Sequence, residues 1–83
     1  MYYVYMVECS DGTLYTGYTD NVVKRINTHN QGKGAKYTRS RIPCKLVYKE
    51  EYKTKNDAMA REWFIKHRLT RMEKLNLISY NKS

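Results

Sequence analysis

The sequence predicts a small α+β domain in which helices pack on an antiparallel sheet, in the order ββαβαα. Three observations carry that prediction. Two runs rich in aromatic and β-branched residues, Tyr2 to Cys9 and Thr13 to Thr19, flank Ser10-Asp11-Gly12, which is the pattern of a β-hairpin. Val22, Arg25, Ile26 and His29 recur at helical spacing behind Asp20-Asn21, a pair suited to capping a helix. Thr54 with Asp57, and Thr70 with Glu73, each set a hydroxyl three residues before a carboxylate and so mark two more helix starts.

The hairpin register decides which side chains meet. A two-residue Asp11-Gly12 turn pairs Ser10 with Thr13, whereas a three-residue loop with Gly12 left-handed pairs Cys9 with Thr13. The second sorts the chain better. It puts Val4, Met6, Leu14 and Tyr18 on one face, and Tyr3, Tyr5, Val7, Tyr15 and Gly17 on the other. The first helix is expected from Val22 to about Asn30, followed by a glycine-bearing basic loop from Gly32 to Pro43. Lys45 to Tyr52 forms the third strand, with Val47 and Tyr48 its best β-formers. The two capped helices then run to about Arg68 and through Leu75 and Ile78, the last one short. With 83 residues the chain is one domain, and at this length folding buries only about 60% of the unfolded surface.

Composition narrows the function. No apolar run approaches the roughly 20 residues of a membrane span, and no basic segment precedes an apolar one at the N-terminus, so a cytoplasmic protein is expected. Cys9 and Cys44 have no CxxC partner and are expected to be free, semi-buried thiols rather than zinc ligands or a disulfide. Sixteen Lys and Arg against eight Asp and Glu give a net charge of +8. Between Asp20 and Glu50 the chain has no acidic residue, while Lys24, Arg25, Lys33, Lys36, Arg39, Arg41, Lys45 and Lys49 all fall there. A one-sign stretch of that length is the footprint of a polyanion, and nucleic acid is the expected partner. A membrane surface is the lesser candidate, because Gly32, Gly34 and Pro43 interrupt any amphipathic helix.

Three groups of residues could carry chemistry. Glu62 falls on the stripe Ala58, Ile65, Leu69, where a carboxylate must be salt-bridged from beneath the helix or hold a cation. Arg25 and His29 share a helix face; the guanidinium can grip a phosphate and the imidazole can carry a proton, or both can be plain packing residues. Tyr5 lies opposite Gly17, whose missing side chain leaves space beside the phenol, and Tyr15 is its diagonal neighbour. A tyrosine base needs a cation nearby to lose its proton, and Arg25 is placed to be that cation.

Taken together, Tyr3-Val4-Tyr5, Tyr15-Thr16-Gly17, Arg25 with His29, Glu62 on a later helix, Gly32 to Arg39, and Ala60-Arg61-Glu62 through Ile65-Lys66 resemble a known family. The chain is similar from about Tyr2 to Ile78 to the GIY-YIG endonuclease superfamily, in particular its short stand-alone bacterial members. Tyr3 stands where the name motif has glycine and Thr16 replaces its isoleucine; neither change removes a functional group. The resemblance implies a three-stranded antiparallel sheet flanked by helices, and hydrolysis of DNA with one divalent cation, Mg²⁺ or Mn²⁺. It implies that Glu62 binds the metal and Tyr15 activates or positions the attacking water. By the same analogy Tyr5 helps place the water or the phosphate, Arg25 stabilises the transition state, and His29 is an auxiliary polar residue. Lys33, Lys36, Tyr37, Arg39, Arg41 and Lys66 are the expected nucleic-acid contacts. Asn76, or alternatively Asn81, is the candidate for an asparagine that larger relatives use. Relatives with known targets usually carry a further DNA-binding or partner domain, so target choice is expected to come from the basic loop, an oligomer, a partner protein or the DNA structure itself. The competing expectations are a nucleic-acid-binding module of the same fold without turnover, and a small RNA- or ribosome-associated basic protein.

Overall fold

The computed structural model describes residues 1–82, with side chains through Tyr80. Strand β1, Tyr2–Glu8, occupies the centre of a three-stranded sheet of order β2-β1-β3, with β2 at Leu14–Thr19 and β3 at Lys45–Tyr52. Both pairings are antiparallel. The hairpin takes the three-residue loop: Cys9 N–H donates to Thr13 O at 2.8 Å, and Gly12 sits at φ +83°, which only glycine adopts freely. Tyr5 therefore pairs with Gly17 and Val7 with Tyr15, the expected register.

Helix α1, Val22–Asn30, starts at Asn21, whose side chain accepts from Lys24 N–H at 3.1 Å. The following segment departs from the sequence reading. Lys36–Arg39 closes a helical turn, α2, inside what was expected to be loop throughout. A single turn has no periodicity to read, so nothing in the pattern announces it. Helix α3, Lys55–Arg68, is capped by the Thr54 hydroxyl, which accepts from Asp57 N–H at 3.1 Å. Helix α4, Arg71–Lys82, opens on a reciprocal capping box: Glu73 N–H donates to the Thr70 hydroxyl, and Thr70 N–H donates to the Glu73 carboxylate. It is longer than the short helix expected. None of the helices among the described residues is long and apolar enough to cross a membrane.

Strand alternation makes two cores. On one face Val4 and Met6 pack with Tyr48, Ala58, Ile65 and Ile78, so α3 and α4 cover this side. On the other, Tyr5, Val7, Cys9 and Cys44 pack with Tyr15 and Ile26 beneath α1. Each fully buried aliphatic side chain contributes roughly 1.5–3 kcal/mol. The first core also holds an ion pair. Arg61 reaches from α3 to Glu50 on β3 through Nε at 2.9 Å and Nη2 at 3.0 Å, and the hydroxyls of Tyr48 and Tyr52 donate to the same carboxylate. The two thiols, distant in sequence, lie 3.9 Å apart as buried, unbridged neighbours.

Candidate active site

The site is built where the α1 face of the sheet meets the β2 edge. Tyr5 points from the central strand towards α1 and is fully buried. Its ring end lies over Gly17, where a Cβ would stand 2.5 Å from the phenol oxygen. Arg25 and His29, one turn apart on α1, both reach that oxygen. Arg25 Nε donates to it at 3.3 Å, and His29 Nε2 lies 2.7 Å away. The other ring nitrogen, Nδ1, is 2.8 Å from the Thr38 hydroxyl on α2. The backbone at Gly34 runs so close to the imidazole that any Cβ there would collide with it.

Electrostatics follow from this burial. Desolvation pushes the Tyr5 phenol above its usual pKa, opposed by Arg25. Burial, then the charge of Arg25, pushes His29 below its ordinary value, so the imidazole is neutral at physiological pH. The hydrogen bond to Tyr5 holds Arg25 more firmly protonated still. Among the described residues neither Nη of Arg25 has a hydrogen-bond partner, so the fork remains free to take a phosphate.

Tyr15 is half-buried at the rim. Its ring meets His29 edge-on at 5.4 Å and stacks on Tyr37 at 5.9 Å, and Lys66 Nζ sits 5.1 Å from it. Lys66 belongs to α3, on the opposite face, so this contact wraps round the β2 edge. Glu62 lies one turn before it, its side chain 19% exposed, with Oε2 3.7 Å from Lys66 Nζ. Its charge is near enough to act on Tyr5. The helix that carries Glu62 thus packs on the far side of the sheet, yet its carboxylate belongs to the same edge as Tyr15.

Not every expected residue joins this group. Asn76 is exposed on α4, which packs against β3 at the other edge of the sheet, and the Asn81 side chain lies outside the described residues. His29 and Tyr5 come together but are sealed from solvent, so in this conformation they organise Arg25 and Tyr15 from below. Lys33, Lys36, Tyr37 and Arg39 are exposed beside the site. Arg41 is already engaged: it donates to Asp11 at 3.0 Å and to Tyr37 O at 2.7 Å, and lies 4.1 Å from the Tyr37 ring centroid. Two participants escaped the sequence reading. Gly34 and Thr38 fall within the basic stretch from Gly32 to Arg39, but only the tertiary fold brings them against His29.

A cation would find one carboxylate here. No cluster of three or more His, Cys, Asp or Glu exists among the described residues. Mg²⁺ retains several waters and is often held by one or two carboxylates together with substrate phosphate oxygens. Half-buried Glu62 fits that demand in company with a phosphate, once Lys66 swings aside.

A three-stranded antiparallel sheet whose hairpin presents paired tyrosines to an arginine on the next helix, with a carboxylate reaching the same edge, defines a class. Residues 1–76 match the model of the GIY-YIG catalytic domain, and the chain belongs to that nuclease family. Among its relatives, a UPF0213 protein of Streptococcus agalactiae is 56% identical over 81 residues, covering 98% of this chain and 91% of its own. The UPF0213 protein YsiG of Lactococcus lactis is 54% identical over 77 residues, covering 93% and 74%. The solution NMR structure of a UPF0213 protein from Bacillus halodurans has the same fold, with 49% identity, a TM-score of 0.61, and coverage of 96% and 85%.

Proposed function

We propose that this protein is a divalent-metal-dependent endonuclease that hydrolyses phosphodiester bonds in DNA, with branched, nicked and damaged forms the first substrates to try. The observation that carries the reading is that Arg25 reaches Tyr5 while Lys66 links Glu62 to the Tyr15 ring at the same sheet edge, beside an exposed basic segment. Arg25 would hold a non-bridging phosphate oxygen through its free Nη groups and oppose the charge that develops there, an electrostatic contribution to the barrier. Tyr15, at the rim, would orient the attacking water or take its proton. Glu62 would hold Mg²⁺ or Mn²⁺, which polarises a phosphoryl oxygen and acidifies bound water. Lys33, Lys36, Tyr37, Arg39 and Lys66 would track the strand on either side.

The test is a cleavage panel over supercoiled, single-stranded, nicked and branched DNA with each metal, against Glu62→Ala and Arg25→Ala variants shown by circular dichroism to be folded. Cleavage by the parent that fails in both variants supports the reading. No cleavage of any substrate by the parent overturns it. One contact favours a second reading, a module that binds nucleic acid without turnover: Lys66 pairs with Glu62, the carboxylate that would have to hold the metal. That module would bind DNA or RNA in a salt-sensitive way, and Glu62→Ala would leave binding intact or tighter.

A further inference from the structure

The hydrogen bonds beneath the site run in one direction, which follows from counting the protons available. Thr38 Oγ1 lies 2.9 Å from the carbonyl of Ala35, which can only accept, so the single hydroxyl proton points there. Towards His29 the same oxygen must then accept, which requires the proton of the imidazole to be on Nδ1. Nε2 is left bare, and the Tyr5 hydroxyl donates to it. The Tyr5 oxygen keeps its lone pairs for Arg25, whose Nε–H is a donor by necessity. Every donor in the chain therefore points one way: Arg25 to Tyr5, Tyr5 to His29, His29 to Thr38, Thr38 to Ala35.

The other tautomer satisfies fewer groups. With the proton on Nε2, His29 and Arg25 would both donate to the Tyr5 oxygen. The Tyr5 proton would be stranded in a fully buried site, and Ala35 O would lose the Thr38 hydroxyl and keep only the Thr38 N–H. A buried polar group left unpaired costs about 1–3 kcal/mol, enough to decide a tautomer ratio. Gly34 is the steric half of the same device, since only a residue without Cβ lets the loop bring Thr38 to the ring.

We infer that Thr38 is a positioning residue that locks His29 as the Nδ1–H tautomer, so that Tyr5 is presented to Arg25 purely as an acceptor and the guanidinium is aimed at the substrate phosphate. The tautomer stands on the geometry alone; its consequence for cleavage rests on the endonuclease reading. Reversing the ring proton would set a second donor against Arg25 at the Tyr5 oxygen and turn the guanidinium away.

The protein has two histidines, His29 and exposed His67, so long-range ¹H–¹⁵N correlation on uniformly labelled protein resolves both rings. In the parent, His29 is expected to show a protonated Nδ1 and a bare Nε2, and His67 supplies the second ring signal from which it is told apart. Thr38→Val keeps the shape and removes the acceptor; it should mix or reverse the His29 pattern. Thr38→Ser should restore it. Cleavage should follow the tautomer, falling about 10- to 100-fold in kcat in Thr38→Val with little change in KM and recovering in Thr38→Ser, by analogy with the groups that orient metal-bound histidines. A parent His29 protonated on Nε2 overturns the inference, as does Thr38→Val with the His29 nitrogens unmoved. If Thr38→Val does not fold, the parent and Thr38→Ser spectra decide alone. A parent with the expected tautomer that cuts no DNA refutes the endonuclease reading and leaves the lock in place.

Discussion

Gly17 faces Tyr5 across the β1–β2 pair so closely that a single added carbon would lie 2.5 Å from the phenol oxygen and 2.8 Å from the carbon that bears it. The neighbour cannot yield cheaply, because the phenol is buried and tied to both Arg25 and His29. Gly17→Ala is expected to destabilise the fold by about 1–3 kcal/mol, the usual cost of overpacking. It should also break the Tyr5–His29 bond. Urea unfolding gives the first number, and the His29 ring-nitrogen shifts report the second. An unchanged midpoint with unchanged shifts would mean that the strand pair is looser than the structure has it.

Glu50 predicts a pH dependence. Burial alone would raise its pKa, but bonds from Arg61, Tyr48 and Tyr52 outweigh that and hold the carboxylate below its ordinary value. The sign follows directly. A carboxyl whose folded pKa is depressed adds stability that is fully present above the unfolded value of about 4.3 and fades as pH falls through the folded one. The protein should therefore lose stability in acid, and Glu50→Gln should remove much of that loss while lowering stability at pH 7 by about 1–3 kcal/mol. Parallel denaturant titrations at pH 7 and pH 3 test this. An equal acid response in parent and variant would refute the role given to Glu50.

Arg39 and Arg41 are two residues apart and should behave differently. Arg39 is exposed, whereas Arg41 is held by Asp11 and stacked on Tyr37. If nucleic acid runs along this segment, Arg39→Gln should weaken binding and lower the slope of log K against log salt by about 1. Arg41→Gln should leave the slope nearly unchanged and instead loosen the hairpin tip, seen as faster amide exchange around Asp11 and Tyr37. Binding measured at three or four salt concentrations separates the two. Equal slopes for the two variants would show that Arg41 also contacts phosphate.

Most of the architecture is legible because the signals for it are local. Gly12 announces the loop type, Asn21 and the pairs Thr54–Asp57 and Thr70–Glu73 announce helix starts, and strand alternation separates the face of Met6 from the face of Tyr5. The pairing of Tyr5 with Gly17, and the reach of Arg25 to the phenol, follow from that register and from helical spacing. What stays hidden is long-range. Nothing local marks Glu50, because its partner Arg61 lies 11 positions on, in another element. Arg41 reads as a free cation because Asp11, 30 positions back, is invisible to local pattern. Thr38 sits in a one-turn helix too short for periodicity, and its purpose exists only once His29 is beside it.

Strand β1 is bonded on both sides, so Tyr5 stands on the part of the sheet least able to open. Glu62 and Lys66 stand instead at the edge-facing side of α3, and Tyr37 on the single turn α2, at the perimeter of the sheet. Accommodation of a bulky, kinked polymer must then fall to these outer pieces, with the phenol as the stationary datum about which they adjust. Hydrogen exchange on adding a DNA ligand should slow at the perimeter and barely alter the already protected middle strand.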